Sequence, residues 1–210
     1  MKIGVLGAGN VGGTLGTGWA KKGHSVMFGV RDASDAVFKS VVQAAGSNAS
    51  AGSVPEAAAF GEVVVLATPW PAAQEALRSA GNLSGKILLD CVNPLKPDLS
   101  GLAVGFTTSA GEQIAGWAAG ARVVKIFNTT GFDNMAAPRY PEGAASMLYC
   151  GDDAGAKTVA AKLAADLGFD PVDAGPLVNA RLLEPYALLW IQLAYKQGLG
   201  RNFAFRLIRR

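Results

Sequence analysis

The sequence contains few cysteines, few histidines and few charged residues, and each scarcity argues against a class of protein. Of its 210 residues, 2 are cysteines and 1 is a histidine, so a disulfide scaffold cannot form and no group has the spacing of metal ligands. We therefore expect a reducing compartment and no bound metal. The net charge is +3, but four arginines lie in the last ten residues, which leaves the rest of the chain close to neutral. Nucleic acid is not an expected partner.

Long apolar runs are also missing. The first run, residues 3–6, is interrupted by glycine and is too short for an export signal. The most apolar late stretch, residues 187–195, falls short of the ~18 residues that cross a bilayer. These features predict a cytoplasmic protein without a membrane partner.

What the sequence does contain is an alternation of short apolar runs with alanine-rich helical segments. The runs are apolar throughout, which is typical of parallel strands covered by helices on both faces. Strands are predicted at residues 3–6, 25–30, 63–67, 87–90 and 123–127. Helices are predicted between them, at residues 11–22, 34–45, 72–80 and 109–118. This order predicts an α/β fold with a Rossmann-type, doubly wound, mainly parallel sheet.

The last third of the chain follows a different pattern. Two further apolar runs, residues 146–150 and 171–173, flank a predicted helix at residues 154–167. Residues 177–197 are predicted to form one long helix that is apolar on most of its circumference. Pro185 is expected to kink or restart this helix. Such a helix must be buried on all sides, against the sheet, a partner subunit or both. We therefore expect a small C-terminal helical cap and a homodimer.

The turn between the first strand and the first helix carries a glycine motif, Gly7-Ala8-Gly9-Asn10-Val11-Gly12. Gly7 permits the tight turn, Gly9 lets the backbone approach a pyrophosphate, and Gly12 allows the helix to pack closely on the strand. The helix N-terminus then directs its N–H groups at the phosphates. A plain strand-to-helix turn is the alternative, but the β-α-β setting favours a dinucleotide site formed by Gly7, Gly9, Asn10, Val11 and Gly12.

Turn-forming residues at 138–143 separate this dinucleotide-binding unit from the rest of the chain. The predicted domains are therefore residues 1–138, the nucleotide-binding Rossmann domain, and residues 139–210, an extension with the cap and dimerisation helix.

The residue that distinguishes NAD from NADP in such folds lies at the end of the second strand, about 20 residues after the glycines. An NAD site would place a carboxylate there, whereas this chain has Arg31 followed by Asp32. A guanidinium suits the 2′-phosphate of NADP by its charge and its two-pronged geometry. Asp32 could serve as the NAD carboxylate if the register slips by one, and the two side chains could also form a solvated ion pair. We favour NADP.

Few ionisable groups are predicted at the carboxyl ends of the strands, where ligands of an open α/β sheet bind. His24 lies at the opposite end of the second strand and is expected on the surface or at a helix end. Lys125 lies before the carboxyl end of its strand and is interpreted as structural, with a catalytic role as the alternative. Cys91 is interpreted as a buried apolar residue, and Asp90 is expected to cap a turn or to hold Asn93. No catalytic side chain is predicted.

This lack of an acid or base favours one kind of redox chemistry. Reduction of a ketone or an imine usually needs a proton donor beside the hydride acceptor. Hydride transfer to a flavin-like ring needs little beyond two stacked planar rings, because the cofactors carry the difficult step.

Several separate segments together carry a resemblance to a known family: residues 7–12, 29–31, 68–70, 124–129, 150–153, 173–177 and 180–181. In residues and in order they resemble the NADP-dependent coenzyme F420 reductase family, which is related to the oxidoreductase domain of six-transmembrane ferric reductases. The resemblance covers nearly the whole chain.

The resemblance implies hydride transfer between NADP(H) and a deazaflavin or flavin ring without a catalytic side chain. It places residues 9–12 at the pyrophosphate and Arg31 at the 2′-phosphate. It also implies residues that line the nucleotide cleft (Thr68, Pro69 and Trp70) and residues that border the nicotinamide (Asn93 and Asn128). The deazaflavin enzymes carry a His-Thr-Ile-Pro-like segment where this chain has residues 127–131, which leaves the acceptor open between F420 and FMN or FAD.

Two other functions stay open on the sequence. One is an NADP-dependent reductase of a small carbonyl or imine substrate, in which Lys125 or an ordered water supplies the proton. The other is a non-catalytic module that senses NADP(H).

Overall fold

The centre of the molecule is a mainly parallel β-sheet. The computed structural model describes residues 1–30 and 36–210. The strands of this part are β1 (Lys2–Leu6), β2 (Ser25–Gly29), β3 (Ala49–Gly52), β4 (Val63–Leu66), β5 (Ile87–Asp90), β6 (Arg122–Lys125), β7 (Arg139–Tyr140), β8 (Gly143–Ala144), β9 (Ser146–Gly151) and β10 (Asp170–Asp173). All five strands predicted in the first part of the sequence are present.

Eight of these strands form one sheet in the order β10-β9-β6-β5-β4-β1-β2-β3. Neighbouring strands are parallel except β6 and β9, which are antiparallel. The strand sequence reverses direction at β1, which has β2 on one side and β4 on the other. The α/β, Rossmann-type fold class is thereby confirmed, and the reversal marks the crevice where such sheets bind ligands.

Helices cover both faces of the sheet. They are α1 (Asn10–Lys21), α2 (Ala36–Ala45), α3 (Val54–Phe60), α4 (Trp70–Ala80), α5 (Ala110–Trp117), α6 (Phe132–Ala136), α7 (Ala154–Leu167) and α8 (Ala180–Ile191). In the described ranges, no helix combines the length and the apolarity that a membrane crossing requires.

The sequence reasoning missed β3, α3, α6 and the short strands β7 and β8. The strand β3 consists of alanine, serine and glycine at the sheet edge, so it carries none of the β-branched or aromatic residues that mark strands. The helix α3 did carry a signal. Ser53 accepts a hydrogen bond from the N–H of Glu56, and the Glu56 carboxylate accepts one from the N–H of Ser53 at 2.7 Å, which is a capping box.

The predicted long C-terminal helix is divided into three segments. A 3₁₀ turn (Leu177–Asn179) precedes α8, and a π-helical turn (Gln192–Lys196) follows it. Pro185 lies inside α8, which does not restart there. Within the single chain the sheet does not cover the helix on all sides, because Leu182 is 67% exposed and Leu189 is 49% exposed, and burial of this face against a partner subunit stays a prediction.

His24 fulfils the helix-end alternative of its prediction, because its N–H donates to the carbonyl of Trp19 in the last turns of α1 at 3.1 Å. It lies at the amino end of β2, away from the ligand edge, as expected. It is buried and not on the surface, and its Nε2 lies 3.1 Å from the Oδ2 of Asp166 in α7. The hydrogen bond with Asp166 explains how a polar ring is accommodated inside the protein.

One face of the sheet is covered by a core to which both the first 138 residues and the rest of the chain contribute. Trp19 in α1 is fully buried and donates from its indole nitrogen to the carbonyl of Leu163 in α7, at 3.0 Å. Its ring meets Phe127 edge to face, with centroids 5.6 Å apart. The predicted boundary between residues 138 and 139 falls between α6 and β7, and the core continues across it.

The Trp19–Leu163 hydrogen bond generates a stability prediction. Trp19→Phe removes this hydrogen bond and part of a fully buried ring, so we expect the free energy of unfolding to fall by about 1–3 kcal/mol. Trp117→Phe, at a half-buried tryptophan, should cost less than ~1 kcal/mol. Urea unfolding of the two variants measures the difference. Equal losses would show that the hydrogen bond contributes nothing.

Candidate functional site

The glycine turn forms the first half of the site. Gly7 has φ +101°, in the left-handed region, and a Cβ there would lie 2.7 Å from the carbonyl oxygen of Ala67. A Cβ at Gly12 would overlap the carbonyl oxygen of Gly7, so only glycine lets α1 begin this close to β1. A Cβ at Gly9 would meet nothing within 4 Å. The space above Gly9 is therefore open to a ligand.

The first turn of α1 faces this open space. Gly9 is the N-cap residue and no side chain caps the helix, so the N–H groups of the first turn have no partner from a capping side chain. Asn10 and Val11 belong to this turn, and Asn10 is exposed. N–H groups at a helix start without a capping side chain, together with the positive end of the helix dipole, favour a phosphate.

A cavity of about 360 Å³ opens beside the turn, where β1, β2 and β4 end. Gly7, Gly9, Thr68 and Pro69 all line it, which brings four of the predicted site residues together. The Oγ1 of Thr68 is buried and, within the described residues, has no hydrogen-bond partner. A buried hydroxyl without a partner fits a polar ligand group in this cavity.

Two other predicted residues do not join this group. The indole of Trp70 does not line the cavity but stacks on Trp117, with centroids 5.3 Å apart. Arg31, predicted at the 2′-phosphate, lies outside the described residues, as does Asp32.

The second half of the site is a pair of asparagines at the carboxyl ends of β5 and β6. Asn93 donates from Nδ2 to the backbone carbonyl of Asn128 at 2.8 Å, and Asn128 donates from Nδ2 to the Oδ1 of Asn93 at 3.1 Å and to the carbonyl of Leu183 at 3.2 Å. Because its Nδ2 lies between two acceptors, the Asn128 amide has one favourable orientation. Its Oδ1 is buried and has no partner among the described residues.

Phe127 sets the direction of the chain before Asn128. It is buried and has φ +60°, an uncommon value for a bulky residue. Its ring is fixed between Trp19 and Phe169. Strained residues of this kind persist where the surroundings impose them, and they concentrate at functional sites.

Beneath the asparagines lies a group of charges that the sequence reasoning only partly found. Lys125 is fully buried, and its Nζ lies 2.9 Å from the Oδ2 of Asp90 and 2.9 Å from the Oε1 of Glu184. The ammonium also donates to the carbonyl of Val92. Glu184 was missed, although a single acidic residue among the apolar residues of α8 was a signal for a buried partner.

These contacts decide what the ionisable groups can do. Burial alone would lower the pKa of Lys125, but the carboxylates of Asp90 and Glu184 raise it above its ordinary value. Burial raises the pKa of the Cys91 thiol, which makes it a poor nucleophile. Asp90 accepts from the N–H of Val92 at 2.8 Å, so it caps the turn that leads to Asn93. In the part of the chain that the structure describes, no group of acidic, cysteine and histidine side chains is placed to hold a metal ion.

Comparison with known proteins adds to this geometry. Residues 2–94 match the family described as NADP oxidoreductase, coenzyme F420-dependent. A crystal structure from Arthrobacter sp. FB24, assigned as an F420-dependent NADP-reductase, is 36% identical, with a TM-score of 0.89 and full coverage of both chains. The chain belongs to the F420-dependent NADP oxidoreductase family. Members of this family are NADP-dependent oxidoreductases, so this one binds NADP(H).

Two more distant relatives are named for other activities. Metalloreductase STEAP3 from Rattus norvegicus is 30% identical over 190 residues, which is 89% of this chain, but the chain spans only 36% of that protein's length. A reductive aminase from Aspergillus terreus was solved with NADPH4, cyclohexanone and allyl amine. It is 23% identical to this chain with a TM-score of 0.66, and the match covers 94% of this chain and 62% of the aminase chain. The latter likeness is one of fold.

The glycine turn generates a paired prediction for this F420-dependent NADP oxidoreductase family member. Gly9→Ala should lower the free energy of unfolding by no more than ~1 kcal/mol, as for a replaced N-cap residue. It should weaken NADPH binding at least about tenfold, because the methyl group fills the open space above the turn. Gly12→Ala should instead destabilise the fold by about 2 kcal/mol or more, because its Cβ meets backbone.

Chemical unfolding and a fluorescence titration with NADPH separate the two effects. Unchanged NADPH affinity in Gly9→Ala would contradict the placement of the cofactor at this turn.

Proposed function

We propose that the protein transfers a hydride between NADP(H) and a flavin-like ring, either the deazaflavin F420 or FMN or FAD. This proposal rests on which chemical groups lie at the carboxyl edge of the sheet. Among the described residues, the edge offers backbone N–H groups, a threonine hydroxyl and two amides, whereas Asp90 and Lys125 there are fully buried and bonded to each other. Such a site can bind and orient ligands, but it offers little proton chemistry.

The residues that would hold NADP(H) fall into two groups along this edge. The glycine turn, with Gly7, Gly9, Asn10, Val11 and Gly12, would bind the pyrophosphate, and Thr68 and Pro69 would border the nucleotide next to it. Asn93 and Asn128 would bind the nicotinamide carboxamide, since the unpartnered Oδ1 of Asn128 can accept a hydrogen bond from its NH₂ group. Bound NADP(H) supplies the hydride, and the chain's own residues hold the ring in place.

The alternative, reduction of a small carbonyl or imine, would require a proton donor in contact with the substrate. Lys125, the candidate for this role, has no exposed side-chain surface and directs its ammonium at Asp90, Glu184 and the carbonyl of Val92. The geometry therefore favours the ring acceptor.

A panel of acceptors tests the proposal. NADPH oxidation is followed by absorbance with F420, FMN, FAD, a simple ketone, and the same ketone with an amine. We expect turnover with at least one of the ring acceptors and none with the ketone or the ketone and amine. Turnover confined to the carbonyl or imine, or no turnover with any acceptor, would overturn the proposal.

Arg31 determines the choice of cofactor in this proposal. Arg31→Ala should weaken NADPH binding about 10- to 100-fold, the effect of losing a charge-assisted pair, and should leave NADH binding unchanged because NADH lacks the 2′-phosphate. Asp32→Ala is the matched control, and it should change neither affinity strongly. Equal losses of NADPH and NADH in Arg31→Ala, or selective loss of NADH in Asp32→Ala, would assign the role to Asp32.

We also propose that the protein is a homodimer through one face of α8. Val178, Leu182 and Leu189 are 43%, 67% and 49% exposed, and their spacing places them on one side of the helix and its preceding turn. Light scattering should give a dimer for the wild type and a monomer for Leu182→Asp. Leu207→Asp, at an exposed leucine outside α8, should remain dimeric. A monomeric wild type would contradict the proposal.

A further inference from the structure

Three ionisable side chains meet in the interior below the asparagine pair. We call Asp90, Lys125 and Glu184 the Lys125 cluster. All three are buried, with side-chain exposures of 0%, 0% and 1%. The ammonium lies 2.9 Å from an oxygen of each carboxylate and donates in addition to the carbonyl of Val92, so its three N–H bonds each have a partner.

Each member of the cluster is also tied to a different segment of backbone. Glu184 in α8 accepts from the N–H groups of Ala110 and Gly111, both at 3.0 Å, at the start of α5. Asp90 accepts from the N–H of Val92 at 2.8 Å, directly after β5. Lys125 is the last residue of β6. The cluster therefore joins the ends of two strands to the start of one helix and the middle of another.

The two asparagines depend on these same segments. Asn93 follows Val92, whose N–H and carbonyl both bond to the cluster. Asn128 lies three residues after Lys125 and donates to the carbonyl of Leu183, the neighbour of Glu184. Each asparagine is thus one to three residues from a cluster contact, and the asparagines bond to each other.

Stabilisation of the core is by itself a weak explanation for three ionisable side chains at this place. Well-packed apolar side chains of similar volume usually stabilise a core as well as a buried ion pair does, because burial of the charges is costly. Hydrogen bonds of fixed direction do constrain the backbone more narrowly than apolar contacts. The contacts to Val92, Ala110 and Gly111 are of this directional kind.

We propose that Asp90, Lys125 and Glu184 are positioning residues, which hold Asn93 and Asn128 where these bind the carboxamide of the nicotinamide. This inference rests on the proposed function for the place of the nicotinamide. The cluster acts through the asparagines and does not touch the cofactor. The Lys125 cluster determines the affinity for the nicotinamide, whereas the glycine turn determines the affinity for the rest of the nucleotide.

Two ligands separate these contributions without any turnover: NADPH and 2′-phospho-ADP-ribose, which is the same nucleotide without the nicotinamide. The main variant is Glu184→Gln, which leaves Asp90 and Lys125 as a neutral pair and is nearly isosteric. The matched control is Glu112→Gln. Glu112 also links α5 to α8, through Arg181 at 2.6 Å, but it lies near the surface and does not contact the cluster.

In the wild type and in Glu112→Gln we expect NADPH to bind at least about tenfold more tightly than 2′-phospho-ADP-ribose, because only NADPH reaches the asparagines. In Glu184→Gln this ratio should approach one while the affinity for 2′-phospho-ADP-ribose stays unchanged. An unchanged ratio in a folded Glu184→Gln protein, equal effects of the two variants, or a ratio near one in the wild type would each overturn the proposal.

A second readout uses NADPH deuterated on one face of the nicotinamide, with an acceptor that the wild type reduces. In Glu184→Gln, both hydride and deuteride should be transferred, because a nicotinamide ring that is poorly held can present either face to the acceptor. Retention of the wild-type face selectivity would count against the inference. If no acceptor is reduced, the proposed function fails, and the affinity ratio still tests the cluster.

Should Glu184→Gln not fold, the double variant Asp90→Asn with Lys125→Met replaces it. This pair keeps the net charge of the cluster and leaves Glu184 on the N–H groups of α5. The same loss of the affinity ratio is expected, and an unchanged ratio would overturn the proposal in the same way.

Discussion

The ammonium of Lys125, held between two buried carboxylates, is the interaction on which the ligand edge of this protein depends. It fixes the ends of β5 and β6 relative to α5 and α8. The same contacts give each N–H bond of this ammonium an acceptor within the described residues, so Lys125 directs no proton toward the ligand edge. Lys125, which the sequence predicted to be structural with a catalytic role as the alternative, is buried and paired in the fold, and under the proposed function the ligands supply the chemistry.

The site has two halves with different physical characters. At the glycine turn, the absence of side chains matters: the proposed function places the pyrophosphate in the open space above Gly9, next to the start of α1, which no side chain among the described residues caps. At the asparagine pair, fixed amides matter, and the orientation of Asn128 follows from the acceptors around it. The sheet places the two halves on one edge, because β1, β4, β5 and β6 are parallel neighbours whose carboxyl ends meet there.

Much of this arrangement could be predicted from the sequence, because it depends on local signals. Apolar runs predicted the parallel strands, and Gly7, Gly9 and Gly12 predicted a turn that the structure has. What the sequence did not predict depends on distant partners. Glu184 and Lys125 are 59 positions apart, and only the fold brings them together. The polar edge strand β3 is formed by pairing with β2 and not by its own residues. For α8, sequence apolarity could not tell burial from an exposed face, as Leu182 demonstrates.

The most direct measurement for the whole account is a crystal structure of the protein with NADP⁺. The account predicts the pyrophosphate over Gly9 and a carboxamide nitrogen about 2.9 Å from the Oδ1 of Asn128, with the Lys125 ammonium still between Asp90 and Glu184. A carboxamide bound away from both asparagines, or an ammonium turned toward the nicotinamide, would contradict it.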